Sequence, residues 1–216
     1  MGCGAIDQSI AHGLTYNWRS CAGGVVEVAG LATDPNSPLP GSGTTAAMPS
    51  SATSPTFQAA LAFTLSAEGA DTNDPNDPGG LTRFGIAQSR HPEVDVQNLS
   101  LAQAQRIYWR EYWQPIHGDQ LPRELAFVLF DTAVNVGVAR AVSMLQTALG
   151  VEIDGVIGSR TIAAAGRQGR QSLSRFMARR ASHYLELAEF KPRFRRYMQG
   201  WLVRCFDVQA AAMGLA

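Results

Sequence analysis

SAEGADTNDPNDPGGLTRFGI, residues 66–86, sets Glu68, three aspartates, two prolines and a Gly-Gly pair between two differently patterned segments. Upstream, Ser54 suits a helix N-cap and Pro55 the first helical position, and Phe57, Leu61 and Leu65 recur every four residues. A helix is predicted over 55–67. The DTNDPNDPGG run cannot continue it, because proline removes a donor and clashes with the preceding turn. In LTRFGIAQ, Leu81, Arg83 and Gly85 alternate with Thr82, Phe84 and Ile86, which predicts a short strand, in a hairpin.

Downstream the chain reads as helix throughout. Ser100 and Gln103 have capping-box spacing ahead of a helix over 101–113. LPRELAFVLFDTAVNVG, 121–137, starts at Pro122, stops at Gly137 and carries a buried stripe through Leu125, Val128, Leu129, Thr132 and Val136, so it is expected to be the central helix. Further helices are predicted over 139–149, 160–166, 171–188 and 192–209. The Asp154-Gly155 turn with Gly158 and Thr161 is expected to be structural, a tight turn and a helix start.

The 216 residues are 45% hydrophobic, enough for a sizeable core, and no apolar run approaches the roughly 18 to 20 residues of a membrane helix. Residues 1–54 lack periodicity and end rich in Pro, Gly, Ser and Thr, which predicts a mobile extension. The first basic residue is Arg19, so no secretory signal is expected and synthesis is expected in the cytoplasm. Cys3, Cys21 and Cys205 lack metal-ligand spacing and are expected as free thiols; His12, His91, His117 and His183 are scattered and receive no site. The net charge is zero, yet residues 160–207 hold eleven Arg or Lys against three acids. Those helices are either solvated or attracted to an anionic wall or outer membrane; no nucleic-acid motif accompanies the charge.

The acidic stretch admits three chemistries. Counted from Asp71 as a calcium loop it places Asn73 correctly, but Pro75, Asn76 and Thr82 occupy the fifth, sixth and twelfth positions, which argues against a metal. Taken singly, Asp71 and Asp74 are ordinary turn residues. Glu68 differs, because it follows Thr64 by four and Leu61 by seven and so shares the apolar side of the first helix, at its C-terminus. Partial burial and the negative helix end both disfavour its ionised form and would keep a proton available. Asp77, nine residues later in a polar turn, is expected to stay ionised. Two carboxylates in opposed environments suit glycosidic cleavage, one protonating the leaving oxygen and the other orienting water.

Glu68-Gly69, DPNDPGG at 74–80 and LTRFGI at 81–86 resemble the family 108 glycoside hydrolases, phage and bacterial muramidases with a catalytic Glu in an EGG-type motif. The order Glu, Asp nine residues on, then Thr at a strand start is also similar to T4-type phage lysozymes, whose Thr comes one residue later. FDTAVNVG at 130–137 and LQTALGVEIDGVIGSRTIAA at 145–164 resemble the C-terminal region of the family, described as peptidoglycan-binding. The likeness spans about 55–207. The sequence departs in having Ala70 where a second Gly is usual, and in residues 1–54, so that the family-like unit is expected to begin near Met48.

The resemblance implies a mainly α, lysozyme-like fold with one small β-hairpin beside the catalytic Glu. It divides into a catalytic region over 55–142 and a peptidoglycan-binding helical region over 143–209. It implies cleavage of the β-1,4 bond between N-acetylmuramic acid and N-acetylglucosamine. Glu68 would be proton donor, Asp77 would hold water or stabilise positive charge, and Thr82 would position either. By the same resemblance the segment with Asn135 and Asp131 lines the sugar cleft, the alternative being a satisfied core polar residue or helix cap. Tyr108 could stack on a sugar face or, as is commoner for such a residue, pack in the core. Of the four aromatics Tyr108, Trp109, Tyr112 and Trp113, at least one is expected exposed. No metal or organic cofactor is implied, and a monomer is expected. The setting most consistent with the resemblance is a phage or prophage endolysin, reaching the periplasmic wall through a lesion made by a holin-type protein; a toxin aimed at rival bacteria would carry the same chemistry. The alternatives are a lytic transglycosylase, or a wall-binding protein without catalysis.

Overall fold

The computed structural model describes residues 54–68 and 81–215, with Ala67 and Glu68 given by their backbone. Asp77 and the extension therefore lie outside the described residues. Helix α1, Pro55–Glu68, opens with the Gln58 amide donating to Ser54 carbonyl oxygen at 3.0 Å. Phe57, Ala60, Leu61 and Thr64 are enclosed along one side at helical spacing.

Strands β1, Thr82–Arg83, and β2, Ile86–Ala87, pair antiparallel with Thr82 opposite Ala87 and Arg83 opposite Ile86. The connecting residues Phe84 and Gly85 both have positive φ, 50° and 72°, as a two-residue turn matched to strand twist requires. Gly85 adopts this freely, whereas Phe84 is strained there.

Helix α2, Leu101–Tyr108, begins with the predicted capping box: Ser100 oxygen accepts from the Gln103 amide and Gln103 side-chain oxygen accepts from the Ser100 amide at 2.8 Å. It runs into a π turn, Trp109–Trp113, closed by the Gln114 amide on Trp109 carbonyl oxygen. This widened turn alters the expectation for the aromatics, since it changes which side chains share a face. Tyr108 and Trp113 are buried, Trp109 and Tyr112 are half-buried, and none of the four is fully exposed. Trp113 packs against Phe57 and Phe130 and donates its indole N–H to Asp119, at the short 3-10 turn Gly118–Gln120.

Helix α3, Arg123–Val136, is enclosed almost throughout and packs on α1, on α4 (Val138–Leu149) and on α7 (Met198–Met213). It is the central helix the sequence predicts. Gly137, at φ 87°, separates α3 from α4 with no intervening loop. After α4, buried Gln146 holds the following turn: its amide donates to Asp154 at 2.6 Å and Val156 carbonyl oxygen at 2.9 Å, and its oxygen accepts from the Gly155 amide. The DG turn is thus a structural device. Helices α5, Ser159–Gln168, and α6, Arg170–Phe190, a 3-10 turn at Pro192–Tyr197, and α7 complete the fold. The architecture is mainly α with one hairpin, lysozyme-like as expected. No helix among the described residues is long and apolar enough to cross a membrane.

Candidate active site

Glu68 closes α1, at the C-terminal, partially negative end of the helix. One turn earlier, Thr64 is fully buried and donates its hydroxyl to Asp131 on α3 at 3.3 Å. Asp131 is itself fully buried and carries two guanidinium partners. Arg204 of α7 reaches Oδ1 at 2.6 Å, and Arg180 of α6 reaches Oδ2 at 2.8 Å. Burial alone would raise the Asp131 carboxyl, but Arg204 and then Arg180 outweigh it and hold the group below the usual carboxylate range. The network continues from Arg180 Nε to the Tyr184 hydroxyl at 3.4 Å, and that hydroxyl donates to Asn135 Oδ1. Three helices thereby converge on the turn of α1 that precedes Glu68.

The hairpin carries Thr82, half-buried at the start of β1. Tyr108 steadies it from α2, donating its hydroxyl to the carbonyl of strained Phe84 at 3.1 Å. On the other side Arg83 donates to Gln97 carbonyl oxygen at 2.7 Å, tying β1 to the segment before α2.

The residues singled out in the sequence thus fall into different surroundings. Glu68 and Thr82 sit at the ends of α1 and β1 that flank residues 69–80, while Asp77 lies outside the described residues. Asp131 faces Arg180, Arg204 and Thr64, and Tyr108 is enclosed with its hydroxyl on the hairpin. Asn135 is half-buried, with its oxygen taken by Tyr184 and its amide nitrogen left to donate. Arg180 and Arg204, read from sequence as part of a solvated or wall-facing basic surface, are instead core residues. Arg180 is fully buried, and the Arg204 side chain is 16% exposed. A signal for Arg180 was present: Leu173, Phe176, Met177, Arg180, Tyr184 and Ala188 recur at helical spacing and are all buried.

The family model Glycosyl hydrolase 108 matches residues 61–137, and the model described as Predicted Peptidoglycan domain matches 140–206. No curated protein matches. Among solved structures, the one titled Structure of Brucella abortus SagA is similar at 32% identity, with a TM-score of 0.63 over 74% of this chain and 94% of that one. The chain belongs to glycosyl hydrolase family 108, and its catalytic region, joined to a peptidoglycan domain, is that of a glycoside hydrolase acting on peptidoglycan.

Proposed function

We propose that the protein is a muramidase that hydrolyses the β-1,4 bond between N-acetylmuramic acid and N-acetylglucosamine. The observation that carries this reading is the placement of Glu68 at the negative end of a helix whose preceding turn is clamped by Asp131. The negative helix end favours the protonated form of a carboxyl there, which can deliver its proton to the leaving glycosidic oxygen. Asp77 holds the attacking water or stabilises the developing positive charge, and Thr82 positions water or sugar. Asn135 uses its amide N–H to bind an acetamido oxygen. Asp131 and Tyr108 act one step back, holding α1 and the hairpin. The chain works as a phage or prophage endolysin, made in the cytoplasm and released to the wall by a separate lesion-forming protein.

Mass spectrometry of wall fragments digested by the protein tests the reaction. Hydrolysis leaves muramic acid with a free reducing end; an anhydro-muramic product would replace hydrolysis by transglycosylation.

A further inference from the structure

A groove of about 650 Å³ runs between the segment from Glu93 to Leu99 and the outer face of the α2–π run. One wall carries Glu93 and Asp95, the other Arg106 and Arg110, and the half-buried Trp109 and the exposed Gln114 also line it. Among the described residues no direct ion pair joins Glu93 or Asp95 to Arg106 or Arg110. Glu93 lies near His91, which also approaches Glu111 of the facing run, while Asp95 accepts from Asn98 and Arg110 pairs with Glu111. Arg106 is exposed and makes no ion pair among the described residues. Opposed walls of opposite sign, left apart across an open gap, complement a ligand that carries both charges.

We propose that this groove binds the stem peptide of peptidoglycan, with Arg106 and Arg110 taking a carboxylate and Glu93 and Asp95 an amino group. The glycan strand is a poorer match: it offers hydroxyls and acetamido groups, which do not require paired rows of charge, whereas the stem peptide carries carboxylates and a free amine together. Trp109 supplies an apolar floor for the alkyl portion of the side chains. The groove is mechanically joined to the hairpin, because Arg83, next to Thr82, donates to Gln97 within the groove-forming segment. Because the stem peptide is attached to muramic acid, a peptide seated here would fix the sugar's register against that hairpin. The proposal rests on peptidoglycan being the substrate.

Two measurements test it separately from the muramidase reading. The full chain carrying Glu68→Gln is titrated with a synthetic stem tetrapeptide containing glutamate and a diamino acid, following the Trp109 indole N–H resonance. Saturable movement, weakened about fivefold or more by Arg106→Glu, is expected. No movement, movement indifferent to Arg106→Glu, or equal movement with a peptide-free chito-oligosaccharide would overturn the proposal. In the otherwise unchanged chain, Arg106→Glu should also lower the ratio of kcat/KM on native wall to that on wall stripped of peptides by an amidase. An unchanged ratio would contradict the groove's role. Absence of any glycan cleavage by the unsubstituted chain would instead count against the muramidase reading, and the titration would still decide the groove.

Discussion

Asp131 and Arg204 stand 73 residues apart in sequence and meet at 2.6 Å in the core, joining the segment matched by the hydrolase family to the segment matched by the peptidoglycan domain. The contact is part of a buried cluster with Arg180 and Thr64, so the C-terminal helices support α1 as well as whatever they bind. Removing one partner from a buried charge cluster leaves the other charge desolvated and uncompensated, at a cost of about 3–5 kcal/mol. Asp131→Ala is expected to lower urea-unfolding stability by that amount. Replacing Asp131, Arg180 and Arg204 together with apolar residues of similar volume should cost less than Asp131→Ala alone. A loss below about 1 kcal/mol for the single variant would mean that the cluster contributes little.

Tyr108 tests the coupling between packing and catalysis. Tyr108→Phe keeps the enclosed ring and removes the hydroxyl that donates to Phe84 carbonyl oxygen. Stability is expected to fall by about 1 kcal/mol, while turnover falls about tenfold because the strained turn holding Thr82 loses its tie. Steady-state kinetics on purified wall check this, and unchanged turnover would detach Tyr108 from the site.

Gly118 is fixed by a close approach. A Cβ there would meet the Trp113 indole at 2.3 Å, and that ring is wedged against Phe57 and Phe130. Gly118→Ala is therefore expected to destabilise the fold by about 1–3 kcal/mol, seen as a lower thermal midpoint. Gly158→Ala, whose added methyl meets nothing within 4 Å, is the control.

Acid should weaken the fold in two stages. Burial first, then the positive Arg140 nearby, lowers His183 from 6.5 to about 4, although Glu186 opposes this. Between pH 6.5 and 4 the unfolded chain takes up a proton on His183 that the folded chain does not, so stability declines across that window as pH falls. Asp131, held below its ordinary 3.8, adds stability that is present above that value and is lost on further acidification. Urea midpoints measured from pH 8 to 3 should be level above 6.5 in these groups' contribution and fall below it. His183→Gln should remove the first decline and leave the second.

Much of the scaffold was legible because it rests on local chemistry. Pro55, the Ser100–Gln103 box, Gly137 and the alternation around Phe84–Gly85 each dictate a boundary through backbone geometry alone. The π turn was not legible, since WREYW carries no residue that forbids an ordinary helix. Arg204 was not separable by type from the exposed arginines around it, and Arg180 only by its helical spacing from Phe176, Met177 and Tyr184. Their roles depend on Asp131 arriving from α3, a meeting that no local pattern encodes. Of the two readings the sequence left open for Asp131, sugar contact or core polar residue, the choice depends on Arg180 and Arg204 arriving from other helices. The helix that Glu68 closes was legible because Phe57 and Leu61 recur at helical spacing behind Pro55.

The central claim is that Glu68 supplies the proton for glycosidic cleavage. The direct measurement is the release of reducing ends from purified peptidoglycan by the unsubstituted chain and by Glu68→Gln, with wall pelleting recorded in parallel. Loss of about a hundredfold or more in rate with undiminished pelleting is the predicted result. Reducing-end release by Glu68→Gln at the unsubstituted rate would contradict it.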